Sequence, residues 1–112
     1  MADDRPRSST APAGSFAVTE LLDVQEAAIV SRTLVDRESG TVTVFAFDEG
    51  QRLSEHSAPH DAVFQTVAGV ATVTLDGEVH RVESGDAIVL PAAVPHAVEA
   101  DTAMHVILTM IR

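Results

Sequence analysis

Short segments rich in β-branched residues follow one another at intervals of roughly ten residues from Ala28 to the C-terminus. They cover residues 28–35, 41–47, 53–59, 61–67, 70–75, 78–82, 87–90, 96–99 and 104–111, and Gly, Asp or Pro residues lie between most of them. No segment keeps helical spacing for more than a couple of turns. A chain of short strands and frequent turns predicts an all-β sandwich or barrel.

The Asp76-Gly77 pair makes the sharpest local prediction. Between two alternating segments, Asp-Gly is typical of a two-residue hairpin turn, because both turn residues need positive φ. The predicted cross-strand pairs are Leu75–Glu78, Val73–His80 and Ala71–Val82. These pairs put His80 on the same face of the hairpin as Val73.

The N-terminal part, residues 1–14, is rich in Ser, Pro, Ala and charge, which predicts a disordered tail before a single domain over residues 15–112. Residues 16–26 are ambiguous between helix and strand, and we expect an irregular edge strand there. The sequence has no apolar run of membrane-spanning length and no secretory signal at its start. A cytoplasmic protein is therefore expected.

Charge and cysteine content exclude several classes of function. The formal net charge is −10, and every basic side chain is arginine or histidine. Such an acidic chain is repelled by phosphate backbones and anionic lipids, so we expect no nucleic-acid and no membrane partner. Cysteine is absent, so a metal would need histidine or oxygen ligands.

Two motifs carry a resemblance to a known family. The first runs from Gly50 through His56 to Gly69, and the second contains Gly85, Pro91 and His96. Their spacing resembles the two motifs of the cupin superfamily, in particular its small single-domain members of the cupin 2 type (conserved β-barrel). The resemblance implies a double-stranded β-helix, the jelly-roll sandwich, with a pocket between its two sheets.

The sequence departs from the cupin pattern in both motifs. In the first, the usual second histidine falls on Ala58 and the usual glutamate on Ala62. In the second, Ala93 replaces a glycine and Ala100 replaces an asparagine. Two of the four usual metal ligands are thus methyl groups, and the resemblance carries over only the histidines at positions 56 and 96.

His60 is a candidate for the missing third ligand. It lies four residues after His56, and residues at even separation share one face of an extended strand. We therefore predict a metal site of His56, His60 and His96 for a divalent transition metal, Zn, Fe, Ni, Cu or Mn. Gln65 adds a carbonyl oxygen to this site if a bulge after Asp61 shifts the alternation.

Three residues are predicted to line the pocket beside the metal, namely Phe64, Gln65 and His80. Phe45 and Phe47 either share the pocket wall with Phe64 or serve only to pack the core. His80 is included because its hairpin face points towards the interior of the predicted barrel.

Two functions follow from these features. The first is a metal-dependent oxygenase or isomerase acting on a small organic molecule. The alternative is a non-catalytic module that binds or senses a small molecule without metal, with the histidines as hydrogen-bond donors. The last segment, 104–111, is apolar on both faces, so we predict a homodimer, with His105 at solvent or at the subunit contact.

Overall fold

The computed structural model describes residues 13–112, and these form nine strands in two antiparallel sheets. The strands are β1 (Ile29–Arg37), β2 (Gly40–Phe47), β3 (Arg52–His56), β4 (Asp61–Ala68), β5 (Val70–Leu75), β6 (Glu78–Glu83), β7 (Ala87–Leu90), β8 (His96–Ala100) and β9 (Met104–Ile111). Their order is β1-β2-β9-β4-β7 in one sheet and β3-β8-β5-β6 in the other. The predicted all-β jelly-roll sandwich is confirmed.

The register of the strands follows the sequence pattern closely. Strands β5 and β6 pair as predicted, with Val73 opposite His80 across the Asp76-Gly77 turn. Strand β9 lies between β2 and β4 and is hydrogen-bonded to both. This central position accounts for part of the apolar character of β9, and the homodimer inferred from that character stays a prediction.

The two ends of the sandwich are built from different links between strands. At the end that we name the closed end, links 48–51, 69, 84–86 and 101–103 meet, and the backbone N–H of Gly69 donates to Ser84 Oγ at 3.1 Å. At the opposite end, named the open end, links 57–60, 76–77 and 91–95 meet. There the N–H of Ala93 donates to the Ala58 carbonyl at 2.7 Å.

The hydrophobic core lies between the two sheets, where alternate residues of each strand face inward. Burying these side chains removes apolar surface from water, which is the main favourable term in folding. The fully buried members with the largest side chains are Phe47, Met104, Val73 and Val106. Val82, Leu90 and Val98 complete the packing from the other strands.

The segment before β1 differs from its prediction. Instead of an irregular edge strand, it contains a 3-10 turn at Val18–Glu20. The chain turns again at Ala27, whose φ is 54° and whose N–H donates to Asp48 Oδ2 at 2.7 Å. His105 Nε2–H donates to the Leu22 carbonyl at 2.9 Å, so this side chain is partly buried against the segment before β1 and does not simply face solvent. Its predicted place at a subunit contact stays a prediction.

Two expectations on the chain's organisation stay predictions. The disordered tail predicted over residues 1–14 falls almost wholly on residues 1–12, which lie outside the described residues. The domain boundary at residue 15 is likewise a prediction. Within residues 13–112, none of the helical segments is long and apolar enough to cross a membrane.

Candidate functional site

Two histidines meet at the open end of the sandwich. His56 is the last residue of β3 and His96 is the first of β8, and the two are direct partners in the strand register. Their ring centroids lie 4.4 Å apart with the planes inclined at 66°, an edge-to-face arrangement. His96 is only 8% exposed, whereas His56 is exposed on the edge strand. The sequence motifs thus correctly identified two residues, distant along the chain, that the fold brings together.

Both imidazoles are held by the backbone just before them. His56 Nδ1 lies 2.8 Å from the Ser54 carbonyl oxygen and His96 Nδ1 lies 3.2 Å from that of Val94. A carbonyl can only accept a hydrogen bond, so each Nδ1 carries the proton. In the neutral imidazole, Nε2 is then an unprotonated acceptor, and neither Nε2 atom has a hydrogen-bond partner among residues 13–112.

The loop that leads into His96 has an unusual backbone. Ala93 has a φ of 65°, a left-handed conformation that glycine adopts more easily than alanine. This is the position at which the second cupin motif has its glycine, so a left-handed backbone occurs here without the residue that suits it best. The hydrogen bond from the N–H of Ala93 to the Ala58 carbonyl ties this loop to the link after β3.

A small apolar cavity lies behind the two imidazoles, between the sheets. Its walls are Phe45, Phe47, Leu53, Phe64, Leu90, Val98, Val106 and Leu108, together with His56 and His96. The space open to the centres of water-sized molecules is about 40 Å³. A single water needs roughly 10–15 Å³ by this measure, so the enclosed part holds about three such molecules.

The aromatic wall agrees with the prediction from the sequence. Phe64 lines the cavity as expected, and Phe45 and Phe47 stand beside it, with their ring centroids 6.1 Å apart. Phe64 and Phe47 also belong to the hydrophobic core, so the same side chains serve packing and the pocket wall. The aliphatic members of the wall were not identified from the sequence, because alternation gives the face of a residue but not its neighbours across the sandwich.

Gln65 does not line the cavity. Its side chain is exposed, and its neighbours Phe64 and Thr66 are the buried residues of this part of β4. The irregularity in β4 falls between Thr66 and Ala68, after Gln65, and not after Asp61 as the prediction required. The alternation therefore directs Gln65 away from the interior, and its predicted place in the pocket is wrong.

His80 and His60 also lie away from the cavity walls. His80 shares the inner face with Val73, as predicted, but it sits on β6, an edge strand separated from β8 by β5. His60 lies in a bend after β3 has ended at His56, so the strand alternation that would align the two histidines is not maintained.

The side chains present do not fit a resident metal ion. Within residues 13–112, no group of three or more His, Cys, Asp or Glu residues comes together in a way that could hold a metal. Metal sites that keep an open position generally have three protein ligands, and this site offers two imidazoles. Ala62, at the usual position of the glutamate, packs against the core instead. The predicted three-histidine site is therefore wrong in its third member, His60.

Comparisons with known proteins give the wider context. The cupin domain family model (Cupin_2) matches residues 43–112. A crystal structure of a conserved protein of unknown function from Streptococcus pyogenes is 34% identical, with a TM-score of 0.84 over 100% of this chain and 96% of that chain. A cupin 2 conserved barrel domain protein from Leptotrichia buccalis is 36% identical, with a TM-score of 0.82 over 87% of this chain and 47% of that one.

A third similar structure is KdgF from Halomonas sp. It is 27% identical to this chain, with a TM-score of 0.72 over 89% of this chain and 96% of that chain. A search of the curated proteins found no match. The likeness to solved structures therefore extends over nearly the whole chain.

Proposed function

The chain belongs to the cupin family, and we propose that it binds a small organic molecule in the cavity behind His56 and His96 without a resident metal. One observation carries this proposal: two imidazoles, fixed by backbone carbonyls, converge at one side of an otherwise apolar cavity. An apolar pocket with a few convergent polar groups is the usual form of a small-molecule site.

The composition of the site favours binding over metal-dependent catalysis. Cupins commonly bind transition metals, but here alanines stand at two of the usual ligand positions, Ala58 and Ala62. Without a carboxylate, two neutral imidazoles bring no negative charge to balance a divalent cation. The cavity itself needs no metal to take up an apolar group, because its walls are hydrocarbon.

A metal-dependent oxygenase or isomerase is the second candidate. It is supported by the orientation of the rings, since a histidine that binds a metal usually donates its other ring N–H to a carbonyl or carboxylate. Both His56 and His96 have this orientation. Among residues 13–112, no third protein ligand joins the two imidazoles, which is why we place this candidate second.

Metal content decides between the two candidates. We expect protein purified without chelator and without a histidine tag to contain far less than one transition-metal ion per chain, measured by plasma mass spectrometry for Zn, Fe, Ni, Cu and Mn. Near-stoichiometric metal that is lost in both His56→Ala and His96→Ala would overturn the metal-free proposal. His60→Ala is the matched control, because His60 lies close in sequence but not at the cavity.

A further inference from the structure

The chemistry of the cavity points to one class of ligand, and this inference rests on the function proposed above. We propose that the ligand is an uncharged molecule that donates an O–H or N–H hydrogen bond to the imidazoles of His56 and His96. Its hydrocarbon part, with roughly three or four carbon atoms enclosed, fills the cavity between the sheets.

The positions of the imidazole protons determine which hydrogen-bonding group a ligand must have. Each Nδ1–H is already used by a backbone carbonyl, of Ser54 for His56 and of Val94 for His96. The neutral rings therefore offer only Nε2 lone pairs, which accept hydrogen bonds. This reverses the role expected from the sequence, in which the histidines were donors, and it requires a ligand that brings its own donor.

The cavity wall determines which charge a ligand can carry. Among residues 13–112, no Arg, Asp or Glu lines the cavity, and the chain carries a formal net charge of −10. A ligand carboxylate would leave water without gaining a cationic partner, and a ligand ammonium would find no carboxylate. Burial of an unpaired charge is costly, so the wall selects an uncharged ligand.

The volume of the cavity limits the size of the hydrocarbon part of the ligand. About 40 Å³ for the centres of water-sized molecules accommodates a short chain or a small branched group. His56 and Leu53 are exposed on β3, so the polar end of the ligand lies at the imidazoles and any larger remainder extends to solvent. The walls at Phe45, Phe47 and Phe64 contact the hydrocarbon part.

A matched set of three small probes tests the ligand class. 1-Butanol and methyl propyl ether are isomers that differ in the hydroxyl donor, and butanoate has the same chain with a negative charge. Titrations of ¹⁵N-labelled protein are followed by NMR at pH 8, where an imidazole is mostly neutral. We expect 1-butanol to bind about tenfold more tightly than the ether, the effect of one hydrogen bond. Butanoate should bind more weakly than 1-butanol.

Variants assign this preference to the two histidines. In His56→Leu/His96→Leu the ratio between 1-butanol and the ether should fall to about one, while binding of the ether persists and shows that the cavity is intact. If the double variant does not fold, His56→Leu and His96→Leu are tested singly, and each should lower the ratio because one of the two acceptors is lost. In His60→Leu, the matched control, the tenfold preference should be unchanged, because His60 does not line the cavity.

The outcomes separate the two proposals. If the ether or butanoate binds as tightly as 1-butanol, the ligand class is wrong while small-molecule binding stands. If none of the three probes shifts the signals of the cavity residues, both proposals fail. Long-range ¹H–¹⁵N spectra of the imidazoles test the premise directly, and a proton on Nε2 of both neutral rings would overturn the ligand class.

Discussion

The closed and open ends of this sandwich each contain a residue with a left-handed backbone conformation, and the two residues differ in how tightly their surroundings are packed. At the closed end, Gly69 has a φ of 94°, and a Cβ there would overlap the Ala103 carbonyl and lie 2.7 Å from Met104 Cβ. At the open end, Ala93 already carries a Cβ at a φ of 65°. Packing around Gly69 is thus so tight that only glycine fits, while Ala93 is a residue that its backbone conformation does not favour.

The contrast separates stability from function within one small fold. The closed end surrounds Met104, Ala71 and Ala100, all of which are 1% exposed or less. The open end carries the exposed His56 beside the cavity. Residues at a binding site are commonly less well packed, because the site must admit a ligand. We therefore expect substitutions to have very different effects at the two ends.

The largest effect is expected for Gly69→Ala. The positive φ costs alanine about 1–2 kcal/mol, and overlap with neighbouring backbone adds roughly 2 kcal/mol. We expect the free energy of unfolding to fall by about 3–4 kcal/mol in urea denaturation. Gly85→Ala is the matched control, because its φ of 90° is similar but an added Cβ would meet nothing within 4 Å. Equal losses in the two variants would show that packing around Gly69 contributes little.

The second comparison removes one apolar side chain from the closed end and one from the exposed edge strand β3. Met104, 1% exposed, packs at the closed end, and Met104→Ala should destabilise the fold by about 3 kcal/mol through the cavity it leaves. Leu53, 37% exposed, lies at the mouth of the pocket, and Leu53→Ala should cost less than about 1 kcal/mol. Both values come from chemical denaturation. A loss in Leu53→Ala as large as that in Met104→Ala would show that the pocket wall is packed as tightly as the closed end.

The smallest effect has the opposite sign. Ala93→Gly removes the steric cost of an alanine in the left-handed conformation, but glycine also increases the conformational entropy of the unfolded chain. We expect a net stabilisation of about 0.5 kcal/mol. Thermal unfolding should then rise by roughly 3 °C. Ala92→Gly, at the neighbouring residue without positive φ, should instead lower the melting temperature. If Ala93→Gly also lowers it, the open end holds no strain at this residue.

The sequence by itself determined the fold and the pair of histidines. Alternating β-branched segments and Asp-Gly turn chemistry are local signals, since each depends on residues only a few positions apart. They predicted the β5–β6 pairing residue by residue. The motif spacing identified His56 and His96. The periodicity of the segments does not predict that two residues 40 positions apart come together, and only the resemblance to the cupin motifs implied this contact.

Only the tertiary structure decided the composition of the site. Whether His60, Gln65 and His80 reach the cavity depends on where β3 ends, where the irregularity in β4 falls and how many strands separate β6 from β8. These are properties of register and sheet order, and a displacement of one residue reverses the face of a side chain. The proton positions on His56 and His96 were decided in the same way, by backbone carbonyls that the fold brings to each Nδ1.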